Sequence, residues 1–475
     1  CMRRMEYDPR AQLLTCGPGC LWADLIQYLN RFGKSPRSMQ SYCTFSVGGT
    51  LAVNAHGITT DHCFAECVTS FRLARLARAG ADAGGSGGWP SAVRPEVVAC
   101  TRPRGSGARG DSEELFQLAL GGYGCFGVIT EVTMRVRDNV ALQMDSFSVA
   151  LPGGEERASG GVIRSEDFEQ IYGSVVAASA PALNGGQREE AAGDVGSHLP
   201  PDNAVDRVEI KLARLNIITL SSISVYVFRP SSVPIASPGL GLQPRQLSTK
   251  SRVLYKWAMP AMKEARYAME EASGVALDWS SDDGLTRNQL LYESAVPLAQ
   301  LYEPLFHRDD TFILQEFFVP HPQFNAWLNL SRPIYGDLNK EDSGGLILLN
   351  TTIRFVQQDT DTYLRYSRSL DGVYAFVLYY RLPRGPKYDE LLGTYHNRFA
   401  EVTVQCGGTF YLPYRKCYSH QLFQQAYPMA EGFAALKEKH DPAGVFSNLW
   451  FEHYVLPLCS PGYRDRFSAP RPGHG

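Results

Sequence analysis

The run Ser46-Val47-Gly48-Gly49-Thr50-Leu51-Ala52-Val53-Asn54-Ala55-His56-Gly57 decides how the rest of the chain is read. A β-branched residue leads into paired glycines, then a small-residue stretch, then His-Gly. Glycine has no Cβ, so a ligand can lie against main-chain N–H groups. Small residues after such a turn leave those donors facing an anion. Two readings are open on these residues. One is a phosphate-bearing cofactor held by backbone; the other is a Gly-Gly turn in a buried hairpin.

A second glycine run, Gly121-Gly122-Tyr123-Gly124-Cys125-Phe126-Gly127, precedes an alternating strand over 128–136. No strand feeds it and no helix follows it, so it is not the dinucleotide fingerprint. Residues 112–120 ahead of it read as a capped amphipathic helix. Together the two runs suggest two loops of one ligand site.

The chain has 475 residues, room for two or three domains with real cores. Hydrophobic residues make up 44% and charged residues 20%, an ordinary globular composition. A net charge of −3 argues against nucleic acid as a partner. No apolar run reaches bilayer length, so membrane association is expected to be peripheral at most. The 11 cysteines are odd in number in a long chain, which argues against a disulfide framework. Cys16/Cys20 and Cys63/Cys67 are spaced more widely than paired zinc ligands usually are, so free buried thiols and no metal are expected. Free thiols favour an intracellular location. The opening Cys1-Met2-Arg3-Arg4 carries no signal peptide and reads as a cut, with sequence missing upstream.

Along the chain, a strand is expected over 12–15 and a helix over 22–32, with Leu21, Leu25, Tyr28, Leu29 and Phe32 on one stripe and Gly33 as its stop. Residues 78–112 and 184–203 are Gly-, Ala- and charge-rich islands, and 230–246 is a loop. The first island encloses a short strand over 96–99. Paired strands are expected over 208–228 and a helix over 253–271. Further on come a strand over 312–319, a helix over 322–330, and strands over 346–356 and 374–382. One long helix over 421–439 would turn Phe423, Ala426, Tyr427, Ala430, Phe433 and Leu436 inward. Strands and helices without regular alternation favour an α+β fold. Three domains are expected: 1–140, 141–415, and a C-terminal helix and tail over 416–475 returning to the first.

Alternation places Asn350, Thr352 and Arg354 on one strand face, with Leu349, Thr351 and Ile353 on the other. Such a polar face serves a ligand or solvent. Gln315 and Phe317 share a face of the 312–319 strand, and Glu316 lies opposite; an interior amide such as Gln315 can also be a satisfied core residue. Tyr411-Leu412-Pro413-Tyr414-Arg415-Lys416 follows Gly407-Gly408. Tyrosines beside cations can grip an oxyanion or the electron-rich end of a ring system, or form a solvated turn. Asp441-Pro442 ends the last helix for a backbone reason.

Taken in this order, segments 47–57, 121–131 and 441–450 resemble flavoproteins of the vanillyl-alcohol oxidase type, with their PCMH-type FAD-binding fold. Within that type the chain looks like the aldonolactone oxidases, such as the D-arabinono-1,4-lactone oxidases, and the alditol oxidases, together with decaprenylphosphoryl-ribose oxidase; Gly407-Gly408 with Tyr411, and Gln315 within 314–320, suggest the last. The resemblance implies a partial PCMH-type domain, an antiparallel-sheet cap domain with flanking helices, and FAD as cofactor. It implies that Ser46, Val47, Gly48 and Gly49 hold the FAD pyrophosphate through backbone donors. Val53, Asn54, Ala55 and His56 would continue along the flavin. Val128 and Ile129 would meet the adenine or ribitol part through main chain, and Tyr411 the isoalloxazine edge. Arg354, Tyr414 and Gln315 form the implied catalytic set, with Asn350, Thr352, Arg415 and Lys416 toward a small-molecule substrate.

The sequence departs from the pattern in two places. Lactone and alditol oxidases carry a Glu two residues before the Arg, where Thr352 stands here. The ribose oxidase carries a Lys where Tyr414 stands. The upstream FAD loop, with the histidine that some members couple to flavin, would lie before Cys1. The implied reaction oxidises a CH–OH group of a sugar-derived substrate, with a hydride passing to flavin N5 and oxygen or another acceptor taking the electrons afterwards. Arg354 would stabilise the alkoxide or the reduced flavin, and water or Tyr414 would take the proton, because Thr352 is a poor base. The alternatives are a C=C reductase of the sterol Δ24-reductase type, driven by a nicotinamide, and a truncated non-catalytic FAD-fold protein.

Overall fold

The computed structural model describes residues 2–59, 61–78, 93–103, 110–151, 162–163, 208–232, 234–235, 241–243, 285–293, 296, 309–340 and 345–467. Two sheets organise them. The first has six strands: β1 (Met5–Asp8), β2 (Leu13–Cys16), β3 (Lys34–Pro36), β4 (Val68–Arg78), β5 (Val93–Thr101) and β6 (Val128–Asp138). Their order is β1-β2-β6-β4-β5, with β3 also pairing β6, and every pairing is antiparallel. Helix α1 (Trp22–Asn30) buries Trp22, Leu25, Ile26 and Leu29 against it. Gly33, at φ 65°, stops the helical path two residues earlier than the stripe implied, and Phe32 stays 48% exposed. Two further helices belong here: α2 (Val47–Val53) and α3 (Asp111–Ala119).

The second sheet has eight strands: β7 (Leu142–Ala150), β8 (Val162–Ile163), β9 (Ile210–Leu215), β10 (Ser222–Pro230), β11 (Asp310–Pro320), β12 (Ile347–Val356), β13 (Val373–Pro383) and β14 (Thr409–Phe410). Their order is β14-β11-β13-β12-β9-β10-β7-β8, antiparallel except for the β7–β8 pair. A short helix α4 (Arg287–Glu293) precedes the long helices α5 (Phe324–Lys340) and α6 (Pro386–Gln405). These two pack on the back of the sheet. Trp327 lies 4.0 Å from the Phe376 ring and Phe399 lies 5.3 Å from Phe317. The back is therefore a dry aromatic layer, and the front is left to other chemistry.

Several expectations change. The helix over 322–330 runs on to Lys340 with Pro333 inside it. Helix α6 was not anticipated at all. The single helix over 421–439 is two, α7 (His420–Ala426) and α8 (Ala430–His440). Pro428 between them has no N–H and pushes Tyr427 off the helical region, to φ −125° and ψ 72°. The 253–271 helix, the 184–203 island, most of the 78–112 island and most of the 230–246 loop lie outside the described residues.

The segment following α2 threads between the sheets. The Tyr411 hydroxyl donates to the Val53 carbonyl at 2.8 Å and that of Tyr366 to the Asn54 carbonyl at 2.9 Å. The Gln357 N–H bonds the Asp61 carbonyl at 2.6 Å. Lys211 on β9 pairs with Asp61, each side chain 3% exposed. Burial pulls the Lys211 ammonium below its ordinary value, and Asp61 opposes that shift. The chain's end returns to the second glycine run: Asn448 donates to the Tyr123 carbonyl at 2.7 Å, and Trp450 in α9 (Leu449–Tyr454) stacks on Tyr123 at 4.0 Å. Ten described cysteines are free. Among the described residues no helix is long and apolar enough to cross a membrane.

Candidate functional site

The opening run is a helix rather than a hairpin. Ser46 caps it, its hydroxyl accepting the Gly49 N–H at 3.2 Å. Asn54 closes it in the left-handed region at φ 45°. The Val47 N–H bonds the Cys20 carbonyl at 2.9 Å and the Gly48 N–H bonds the Pro18 carbonyl at 2.8 Å. A Cβ on Gly48 would sit 2.9 Å from the Pro18 Cβ. The glycine thus serves close approach by the chain's own 17–20 turn, and the Val47, Gly48 and Gly49 donors all have partners inside the chain.

The two glycine runs do meet. The Gly121 and Tyr123 N–H groups bond the Leu51 and Ala52 carbonyls at 2.9 and 2.8 Å. A Cβ on Gly121 would approach the Asn54 Cβ to 3.0 Å, and its φ is 66°. Asn54 is engaged on both amide atoms, accepting from the Ala65 N–H and donating to Asp359 at 3.0 Å. The Ala55 N–H bonds the Thr50 carbonyl. Val128 and Ile129 lie in the β4–β6 ladder opposite Ala74 and Leu73, with Val128 51% exposed.

The polar cluster forms where His56 meets the front of the second sheet. Glu316 on β11 and Thr352 on β12 both stand opposite Val377 of β13. Phe318 and Arg354 both stand opposite Ala375. Register and the two-residue side-chain period therefore put Glu316, Thr352 and Arg354 on one face. Asn350 joins them opposite Tyr379, after a bulge between Leu348 and Asn350. His56 Nε2 lies 2.5 Å from Glu316 Oε2, and the Tyr414 hydroxyl donates to Glu316 Oε1 at 2.5 Å. His56 and Glu316 are buried.

Burial alone would push the Glu316 carboxyl up. His56, Arg354 and Tyr414 outweigh it and hold the group below its ordinary value, so it is ionised at neutral pH. Burial, then the Glu316 charge, raises the Tyr414 hydroxyl well above its usual range, leaving it a neutral donor. Tyr42 is also raised by burial, with Arg354 opposing; its hydroxyl meets Tyr379. Two buried atoms of the cluster, His56 Nδ1 and Arg354 Nε, have no hydrogen-bond partner among the described residues. A buried unpaired polar atom is costly unless a ligand or water completes it.

Three of the anticipated residues lie elsewhere. Gln315 faces the helices behind the sheet, fully buried, its amide donating to the Glu316 and Tyr411 carbonyls at 3.2 and 3.0 Å. Arg415 is on the surface, 3.4 Å from Asp389, and Lys416 is exposed. Tyr411 is buried beside His56, their rings 6.1 Å apart. Glu316 stands outside the anticipated set, although its signal is in the sequence: one carboxylate inside the largely apolar run 312–319, where a buried charge demands partners. A separate cavity of about 190 Å³ is lined by His62, Cys63, Glu66, Asp359 and Asp361. Its carboxylates are already engaged: Glu66 pairs with Arg37 and Arg135, Asp361 pairs with Arg102, and Asp359 accepts from Asn54 and Thr362.

Comparison with known proteins adds the following. Residues 2–77 match the family model described as FAD binding domain. No curated protein matches the chain. Cholesterol oxidase from B. sterolicum is 14% identical, with 96% of this chain and 83% of that one covered and a TM-score of 0.51. A histidine-to-alanine form of cholesterol oxidase from Brevibacterium sterolicum is 13% identical over the same shares, also at 0.51. The 6-hydroxy-D-nicotine oxidase of Arthrobacter nicotinovorans is 11% identical over 94% of this chain and 79% of that one, at 0.48.

Proposed function

We propose that this chain, an FAD-dependent oxidoreductase with an α+β, PCMH-type fold, oxidises a CH–OH group on a small sugar-derived donor such as an aldonolactone or polyol. FAD supplies the hydride acceptor when bound. His56 Nδ1 and Arg354 Nε, buried and without hydrogen-bond partners among the described residues, fit the polar atoms of a bound flavin and its donor. The Val47, Gly48 and Gly49 donors add no support, since the chain itself occupies them.

The observation that carries the reading is the buried His56–Glu316–Tyr414 chain beside Arg354. Arg354, a donor-only group, holds the donor oxygen as negative charge develops on it. Thr352 and Asn350, on the same face, offer a hydroxyl and an amide to a hydroxyl-bearing substrate. Neutral Tyr414, fixed on Glu316, orients that substrate. Oxygen or another acceptor then takes the electrons.

The test is to load the chain with FAD, remove oxygen and add a panel of aldonolactones and polyols. Bleaching of the flavin band is expected. Bleaching by NADPH and by none of the panel would move the reading to C=C reduction, and failure to take up FAD would remove it.

A further inference from the structure

Oxidation of a CH–OH group releases a proton as well as a hydride, and the proton needs an acceptor. Thr352 offers none. Glu316 is ionised, but both of its oxygens are already occupied, Oε2 by His56 and Oε1 by Tyr414. An ionised carboxylate only accepts hydrogen bonds, so the hydrogen between it and His56 belongs to the imidazole Nε2. In the neutral imidazole Nδ1 is then bare, with a lone pair. Nδ1 is a buried atom with no hydrogen-bond partner among the described residues.

The ring itself cannot turn freely. Phe318 meets it edge-on at 5.4 Å, and Tyr366 and Tyr411 lie 5.8 and 6.1 Å away. Hydrogen bond and packing together fix one tautomer and one orientation, as a carboxylate does for imidazole bases generally.

We propose that His56 is the proton acceptor of this site and that Glu316 is the residue that positions it. The proposal rests on the CH–OH oxidation argued above. In the step, the donor O–H bond breaks and its proton goes to His56 Nδ1. The carbinol C–H hydrogen leaves with its electron pair to the FAD oxidant, and a C=O bond forms. Glu316 then faces an imidazolium, and its charge stabilises that state. The charged and titratable groups around His56 are Glu316 from β11, Arg354 from β12, and Tyr366, Tyr411 and Tyr414 from the loops; Cys63 and Asp359 lie behind Tyr366.

The experiment uses the full FAD-loaded chain labelled with ¹⁵N-histidine. At neutral pH the His56 signals are expected to show Nε2–H with bare Nδ1. In Glu316→Leu, which removes the acceptor of that N–H, the single tautomer is expected to give way to a mixture of the two. Nδ1–H in the wild type, or the same single tautomer in Glu316→Leu, overturns the proposal. His56→Gln is expected to slow flavin reduction by about 10²- to 10⁴-fold with FAD still bound; an unchanged rate also overturns it. If the wild type is bleached by no CH–OH donor, the donor class fails instead, and the tautomer reports separately on the dyad.

Discussion

Glu316 and Thr352 stand on either side of one residue, Val377, on the same face of the second sheet. Two strand spacings, roughly 10 Å, separate them. Thr352 offers only a hydroxyl. A carboxylate stands across β13 from it, bonded to His56 in the segment following α2. The chemistry has a base within reach without β12 supplying it.

Removing that carboxylate should cost stability as well as function. Glu316→Leu leaves His56 and Tyr414 without their buried acceptor, and a loss of about 3–5 kcal/mol is expected on urea denaturation. The pH sign follows from the depressed carboxyl. Its contribution is fully present above the ordinary carboxylate range and is lost as pH falls through the depressed value. The difference between wild type and Glu316→Leu should therefore shrink in acid; a difference independent of pH contradicts the ionised assignment.

Much of this sheet was legible in the sequence. Alternation alone placed Asn350, Thr352 and Arg354 together, because a strand face has a period of two. Helix α6 was missed, although Leu392, Tyr395, His396, Phe399, Ala400 and Thr403 stand at helical spacing, and so was the break between α7 and α8, although Pro428 marks it. The dyad was not legible: His56 and Glu316 are 260 residues apart, and no local pattern pairs them. Nor could local reading show that the Val47 and Gly48 donors are taken by the 17–20 turn, which is a matter of tertiary packing.

Arg354→Met keeps the bulk of the side chain and removes the charge. Flavin reduction under anaerobic conditions should slow by about 10²- to 10³-fold, the loss typical of one oxyanion donor. An unchanged rate in stopped-flow absorbance removes Arg354 from the reaction.

His396, fully buried on α6 with Cys417 Sγ 3.7 Å from its Nδ1, is pushed down to about 3 by burial and then by Arg415. The unfolded chain binds its proton near 6.5. Between those values the unfolded state holds more protons, so stability falls as pH falls. In His396→Leu the melting temperature should lose most of that acid slope; the same slope in both proteins refutes a neutral buried imidazole.

The Lys211–Asp61 pair ties β9 to the segment beyond α2. Lys211→Met alone strands a buried carboxylate and should cost about 3–5 kcal/mol, whereas Lys211→Met with Asp61→Leu should recover much of it. Additive losses in the double variant would mean that the pair contributes no coupling.

At Gly122 a Cβ would lie 1.8 Å from the Leu118 carbonyl oxygen. Gly122→Ala forces the end of α3 away from the second glycine run, at a cost of about 3 kcal/mol or more. Equal chemical denaturation midpoints for variant and wild type would contradict the packing described for the two runs.

Hydride removal from a CH–OH carbon at the junction of the two sheets is the central step of the proposed reaction. The most direct measurement is anaerobic reduction of the FAD-loaded chain by a bleaching aldonolactone or polyol, with deuterium placed on the carbinol carbon. Slower bleaching by the deuterated donor is the predicted result. Bleaching by NADPH alone, with every CH–OH donor inert, would contradict it.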